Sequence, residues 1–359
     1  MVNAIKKEAI KKEAISGPIL AVLPKFIGDA INTLSAIELI RKLYPDNEIY
    51  LLARPYMVEL FARDKFYNIK VITDERFGEA KLSVFSLAKK LKQHKFSMAV
   101  LFRGSLSEAL LAKLAGIKTV IGYAQNGRKP LLSHPLNLNV NHHYLLRYCR
   151  LINETHGNCF EQFDTPKLTY QQVESAVSDN DKINIGLYLG GKNKGARHYP
   201  FKQAKQVIAL LNEKYLPNLI LIGDRSEQAE NQKLFEYANS LNMTCTDLTG
   251  KTSLTDLVDH IAAFDLLISI DSGPMHMAAA LQTPCVAIVG QGTSPWSLVV
   301  PKTPNVIAAT AEHSLQLNDS FLVQDINPEN IVQRSNALLQ TSITFIDKAE
   351  LTLPQPNKQ

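Results

Sequence analysis

The 359-residue chain is 45% hydrophobic and 20% charged, which suffices for two ordinary domains with full cores. It holds no run near the roughly 18 apolar residues of a membrane span, and its charged N-terminus does not read as a signal peptide. Cys149, Cys159, Cys245 and Cys285 show no paired spacing, so reduced, structural thiols in a cytoplasmic protein are expected rather than a disulfide framework.

The chain opens on a five-residue repeat, Ala4-Ile5-Lys6-Lys7-Glu8-Ala9-Ile10-Lys11-Lys12-Glu13-Ala14-Ile15. At about 100° per residue its isoleucines scatter around a helix. Residues 1–17 are therefore expected to form a polar, solvated extension, with lysines available to an anionic surface. Pro18 to Leu23 is apolar and predicts the first strand. Pro24 to Asp29 is a loop, and Ala30 to Leu43 has helical spacing, ended by Pro45. Glu48 to Ala53, Ile69 to Thr73 and Met98 to Phe102 predict further parallel strands, alternating with helical patterns such as Leu82 to Leu91. After the fourth strand, Arg103-Gly104-Ser105 is a polar turn opening an alanine- and leucine-rich helix. His142 and His143 are read as a helix start and His134 as a loop residue, because no Cys, Asp or Glu stands near them at ligand spacing.

Charge is uneven along the chain. Residues 1–180 hold 25 Lys and Arg against 17 Asp and Glu, whereas 181–359 hold 14 against 17. Arg54, Arg63, Lys65, Arg103 and Arg128 fall at predicted loop or strand ends. An acidic partner for the first half uses this excess, since guanidinium groups clamp carboxylates and phosphates bidentately. Ordinary solubility is the plainer use.

Glu161 to Asp181 is polar and without pattern, which places the domain boundary there. Ile183 to Leu189 restarts a buried strand, followed by the glycine-rich basic loop Gly190 to Pro200. Such a loop directly after a strand is a candidate cradle for a diphosphate. Gln203 to Leu211 predicts a helix and Leu219 to Ile222 a strand. In the turn Gly223-Asp224-Arg225-Ser226-Glu227, Glu227 is either a ribose-binding carboxylate or a first-turn residue favoured by the helix dipole. Gly250-Lys251-Thr252 has half of a Walker loop, but Cys245 stands where that loop needs glycine, so an ATPase is rejected.

Leu266 to Ile270, the break Asp271-Ser272-Gly273-Pro274, the helix Met275 to Leu281 and the strand Cys285 to Val289, closed by Gly290-Gln291-Gly292, form a βαβ unit. Ligands in such sheets sit beyond the carboxyl ends of the strands, where this polar turn falls. Free N–H groups at the helix start and the Ser272 hydroxyl suit a phosphate. Asp271 and Ser272 also have the chemistry of helix caps, but capping leaves unexplained His276, one turn further on. Asp325 to Leu339 predicts a closing helix that packs back across the domains, followed by a polar tail.

Asp271-Ser272-Gly273-x-x-His276, with Ala278-Ala279-Ala280-Leu281-x-x-Pro284, resembles the signature of the lipopolysaccharide core heptosyltransferases, glycosyltransferase family 9. Ile27-Gly28-Asp29 is similar to the family's G-D turn after its first strand, and Arg128 to its loop arginine before two leucines. The loop ending Ala196-Arg197-His198-Tyr199-Pro200 is similar to the family's K-[RH]-W-P, with Arg197 at the phosphate-binding lysine and Tyr199 at the tryptophan. The likeness covers residues 18 to 340 or so.

The resemblance implies an α/β GT-B fold of two Rossmann-like, doubly wound parallel-sheet domains facing across a cleft. Residues 18–165 would bind the acceptor and 166–330 the nucleotide sugar, with a C-terminal helix and tail over 331–359. It implies inverting transfer of heptose from ADP-heptose to the Kdo or heptose of the inner lipopolysaccharide core. Asp29 would be the general base, and Arg197, Glu227, Asp271, Ser272, Gly273 and His276 the donor site. Arg128, Arg63 and Arg103 would meet the anionic, lipid-linked acceptor. No metal or other cofactor is implied: Asp179-Asn180-Asp181 has the D-x-D form that other glycosyltransferases use for a metal, but it precedes a strand instead of ending one. Peripheral contact with the inner membrane is compatible with this reading, and nucleic acid is no expected partner. The alternatives are a GT-B transferase with another nucleotide-sugar donor, or a non-catalytic sugar-nucleotide-binding protein.

Overall fold

The computed structural model describes residues 9–173, 182–290, 295–311 and 323–350. The first eight residues, Asp179-Asn180-Asp181, Gln291-Gly292 and the tail beyond 350 lie outside the described residues. The chain divides after Thr169 into two compact units.

In the first unit, β1 (Ile19–Val22) leads to α1 (Ile27–Asn32) and α2 (Leu34–Leu43), then β2 (Ile49–Ala53), α3 (Val58–Ala62) and β3 (Ile69–Thr73). It continues with α4 (Val84–Lys92), β4 (Met98–Leu101), α5 (Leu106–Leu114), β5 (Thr119–Tyr123), β6 (His134–Leu136) and α6 (Tyr144–Thr155). All six strands are parallel, in the order β3-β2-β1-β4-β5-β6. Leu20 of β1 stands opposite Tyr50 on one side and Ala99 on the other. Ile19, Leu20, Ala21 and Val22 are buried on both faces, as a central parallel strand between helix layers must be.

The second unit repeats this plan. Its strands are β7 (Asn184–Tyr188), β8 (Asn218–Leu221), β9 (Cys245–Asp247), β10 (Leu266–Ile270), β11 (Cys285–Ile288) and β12 (Val306–Ala309). Its helices are α7 (Phe201–Tyr215), α8 (Gln228–Ser240), α9 (Leu254–Ala262), α10 (Gly273–Leu281), the four-residue α11 (Trp296–Val299) and α12 (Pro328–Glu350). Counted from its own first strand, the order β9-β8-β7-β10-β11-β12 is the same as in the first sheet. Both sheets therefore reverse winding beside their first strand, at β1/β4 and at β7/β10, which is where such sheets bind ligands. The expected α/β class, two doubly wound Rossmann-like sheets, is the observed one. Helix α12 packs on α7 and on β10, β11 and β12.

Several local expectations are corrected. The helix predicted over Ala30–Leu43 is two helices, separated at Thr33, whose Oγ1 donates to Ala30 O at 2.6 Å. The first of them starts at Ile27, so Asp29 lies in its first turn and not in the preceding loop. The end of the N-terminal repeat is exposed over Lys11–Ala14, as a solvated extension should be, but it is tethered to the first unit. Lys12–Ala14 is a single 3-10 turn, Ile15 is buried, and Ile10 N–H donates to Thr155 O at the end of α6. His134 opens β6 instead of lying in a loop, while His143 caps α6 by accepting from Leu145 N–H. The unpredicted strands β6, β9 and β12 are all sheet edges of three or four residues. No helix among the described residues is long and apolar enough to cross a membrane.

Candidate active site

The donor residues expected in the second unit gather at the carboxyl ends of β7, β8 and β10. The glycine-rich loop leaves β7 through Gly190, at φ +68°, where a Cβ would come within 2.6 Å of Ile270 Cδ1. Only glycine takes that conformation and that approach without strain. The loop then forms a 3-10 segment, Lys192–Arg197. Arg197 Nη1 donates to Asp271 O at 3.0 Å, joining this loop to the turn after β10. The Asp271 carboxyl is buried, which raises its pKa, and the Arg197 charge partly opposes the rise. Tyr199 is fully buried and donates to Ile326 O at 2.8 Å, anchoring the far end of the loop.

Ser272 stands at the N-cap of α10, but its side chain makes no capping hydrogen bond. It acts on the hydroxyl of Tyr188, at the end of β7, favouring the ionised form against burial. Burial and the Glu227 charge push the Tyr188 hydroxyl up to about 12. Lys194 Nζ lies 3.4 Å from Asp224 Oδ2 and 3.8 Å from Glu227 Oε1. Burial opposes the Lys194 charge, but Tyr188, Glu227 and Asp224 outweigh it and raise its pKa. Gly273 begins α10 and half-buried His276 follows in its first turn, so both flank the same helix start. Cations and unpaired helix N–H groups at one edge are what a diphosphate requires.

Glu227 has a structural duty that the sequence only half suggested. Its Oε2 accepts from Asp224 N–H at 2.9 Å, completing a capping box, and its Oε1 accepts from the Tyr188 hydroxyl at 3.2 Å. Burial raises its pKa. Tyr188 and Lys194 were not singled out by sequence reasoning. Their signal was position alone: the last residue of a strand, and a basic residue in the glycine-rich loop that follows it.

In the first unit, Asp29 projects from the first turn of α1, after β1 and at the same carboxyl edge of its sheet. It is no N-cap; Phe26 holds that position. The Asp29 charge acts on the buried hydroxyl of Tyr148 in α6, whose pKa burial raises first and Asp29 further. Arg103, two residues past β4, donates from Nη1 to Glu108 Oε1 at 2.7 Å and remains 13% exposed.

The other two arginines are placed differently from expectation. Arg128 is fully buried, and its Nε donates to Tyr123 O at 2.7 Å while Nη1 donates to Arg103 O. Burial lowers its pKa to about 10, with Glu108 partly opposing. A side chain with no exposed surface does not meet an acceptor from solvent; Arg128 braces the turns after β4 and β5. Arg63 caps the C-terminus of α3, on the return path to the amino end of β3. That is away from the carboxyl edge that carries Asp29 and Arg103.

Among the described residues, no group of three or more His, Cys, Asp or Glu side chains is arranged to hold a metal ion.

The model of glycosyltransferase family 9 (heptosyltransferase) matches residues 84–318. Lipopolysaccharide heptosyltransferase 2 of Escherichia coli K12 is 25% identical over 343 residues, covering 89% of this chain and 98% of that protein. Lipooligosaccharide heptosyltransferase 2 of Campylobacter jejuni serotype O:2 is 25% identical over 331 residues, with the same coverage. The solved structure of E. coli ADP-heptose lipopolysaccharide heptosyltransferase II has a TM-score of 0.78 at 23% identity, covering 90% of this chain and 99% of that one. An E. coli heptosyltransferase solved with ADP-2-deoxy-2-fluoro heptose has a TM-score of 0.67 at 15% identity, covering 89% and 99%. Matched over most of its length, with both sheets in the same winding order, the chain belongs to glycosyltransferase family 9, the heptosyltransferase family.

Proposed function

We propose that the protein transfers heptose from ADP-heptose to a hydroxyl of the inner lipopolysaccharide core, with inversion and without a metal ion. The observation that carries this is the convergence of Arg197, Lys194, Ser272 and the start of α10 at one sheet edge. It is supported by relatives named as heptosyltransferases across 89% of the chain. In this reading the diphosphate lies over the α10 N-terminus, and Arg197 and Lys194 take up the charge that develops on it. Preorganised cations and N–H dipoles aimed at a leaving group stabilise the transition state as a metal would. Glu227 and the backbone around Gly250 then lie on the nucleoside side.

Asp29 is the general base. It accepts the proton of the acceptor hydroxyl as that oxygen bonds to the anomeric carbon, while the bond from that carbon to the diphosphate oxygen breaks and ADP leaves. A single displacement inverts the anomeric centre. Arg103 contributes to the acceptor side, and contact with the anionic inner-membrane surface accompanies a lipid-linked acceptor. Mass spectrometry of reactions with ADP-heptose and truncated core acceptors, with and without EDTA, tests the proposal. Transfer that survives EDTA is expected. Transfer only from another nucleotide sugar would replace the donor, and loss in EDTA restored by Mg²⁺ would overturn the metal-free mechanism.

A further inference from the structure

The glycine-rich loop after β7 is gripped on both sides of its corner by the start of α8. Tyr199 N–H donates to Leu189 O at 3.1 Å and closes the base of the loop, residues 190–198. Inside it the chain turns at Gly195, at φ +57°, where no atom lies within 4 Å of a Cβ position. Packing therefore gives that corner no support. On its entry side, Lys194 Nζ lies 3.4 Å from Asp224 Oδ2 and 3.8 Å from Glu227 Oε1. On its exit side, His198 Nε2 lies 2.7 Å from Glu230 Oε1. Glu227 immediately precedes α8 and Glu230 stands in its first turn, and a spacing of three puts both carboxylates on one face of the helix.

The contact on the exit side has one direction. An ionised carboxylate only accepts hydrogen bonds, so His198 Nε2 carries the hydrogen and donates it. The two side chains are 20% and 21% exposed, and solvent screens them less than it screens a surface pair. His198 N–H also donates to Gly195 O at 3.0 Å, so Arg197 and His198 leave the corner as one short, tied segment.

Arg197 meets something different from its neighbours on the loop. Its Nη1 donates to a main-chain carbonyl, Asp271 O, and the side chain pairs with no carboxylate among the described residues. Lys194 and His198 face the carboxylates at the start of α8, while the charge of Arg197 stays uncompensated beside the start of α10.

We propose that His198 and Glu230 are positioning residues for the nucleotide donor: their contact fixes the segment after Gly195 and so holds Arg197 at the start of α10 before any nucleotide arrives. This rests on the donor-side reading above and extends it to two side chains that act through Arg197 without touching the nucleotide. The gain is preorganisation. A loop already in its bound path costs less to order when a diphosphate binds, and a charged group misplaced by about 1 Å can forfeit much of its contribution.

The test is calorimetric titration of ADP into wild type, His198→Ala, Glu230→Gln, His198→Arg, Arg197→Ala and the double variant Arg197→Ala/His198→Ala. His198→Ala and Glu230→Gln are expected to weaken ADP binding about three- to tenfold, the usual effect of losing one hydrogen bond to a charged group. His198→Arg, which can still donate to Glu230, should recover most of that loss. In the Arg197→Ala background, removing His198 should change the affinity by less than about twofold, because a residue that acts through another has no effect once the other is gone. A loss of equal size in both backgrounds would overturn the proposal, as would unchanged affinity in His198→Ala and Glu230→Gln. Failure of the donor-side reading looks different: Arg197→Ala itself would then bind ADP as wild type does, and the proposal would fall with it. Glu230→Gln keeps the shape of the α8 side chain and decides the case should His198→Ala not fold. Hydrogen exchange without nucleotide gives a readout independent of binding. The His198 and Tyr199 amides should exchange faster in Glu230→Gln than in wild type, and equal exchange would overturn the positioning role.

Discussion

Arg197 and Asp271 stand 74 positions apart in sequence and meet at 3.0 Å, guanidinium Nη1 to main-chain carbonyl oxygen. The contact exists because β7 and β10 are neighbours in the sheet, so the loop leaving one strand runs over the turn leaving the other. It holds the cation of the glycine-rich loop against the start of α10. Arg197→Ala is expected to weaken ADP binding about tenfold or more, as loss of a charge-assisted contact does. Arg197→Lys should recover only part, because a point charge does not reproduce the fork. Calorimetric titration of ADP checks this; equal affinity in all three proteins would remove Arg197 from the donor site.

Asp271 makes a prediction in pH. Burial raises its folded pKa above the unfolded value, so the folded state binds this proton more tightly than the unfolded chain. Ionised Asp271 therefore costs stability above its folded pKa. The cost declines as pH falls through that value and is gone below the unfolded one, about 3.9. Asp271→Asn should raise Tm at pH 7, and the gain should shrink as pH approaches 4. Thermal melts across that range test it, and a gain that grows with acid would reverse the assignment.

Asp29→Asn should leave ADP affinity intact and cut turnover by about 10²–10⁴-fold, the usual loss on removing a general base. The carboxylate lies in the first turn of α1 without capping it, so the stability change should be small beside the change in turnover. Denaturation midpoints measured beside the rates separate the two. Near-normal turnover would leave Asp29 a helix-dipole residue only.

Arg128→Ala should act on stability before substrate affinity. It strips buried partners from Tyr123 O and Arg103 O and withdraws a charge that acts on Glu108. A loss of about 1–3 kcal/mol is expected for groups left unpaired in this way. Urea denaturation reads the loss directly. A stable variant with a raised acceptor KM would restore the ligand-contact role that the family likeness suggested.

Gly190 tests the glycine loop by geometry alone. Gly190→Ala must hold φ near +68° and fit a methyl 2.6 Å from Ile270 Cδ1 and 2.9 Å from Lys194 Cγ. The loop should shift, raising donor KM while acceptor KM stays near wild type. No change in donor KM would show that the loop's path is not needed for the diphosphate.

The apolar runs from Ile19 to Val22 and from Leu266 to Ile270, each flanked by helical spacing, were enough to specify two parallel sheets, because a strand covered on both faces leaves a continuous apolar record. The shortest edge strands, such as Cys245–Asp247, leave no such record, since three residues carry no periodicity, whereas the five-residue edge strand Ile69–Thr73 was legible. The gathering of the expected donor residues at one sheet edge was legible for a related reason: Asp271 and Ser272 follow β10 directly, and Arg197 and His276 come within one loop or one helical turn of a buried strand, so neighbours at strand ends stay close in sequence. The arginines were not. Arg54, Arg103 and Arg128 look alike along the chain, yet one stacks on Phe77 without an ionic partner, one pairs with Glu108, and one is sealed beneath two backbone carbonyls. Which cation stays available for a ligand depends on how Asp74 and Glu108 are shared, and that division is set by the packing of β2, β3, β4 and α5, decided only in three dimensions.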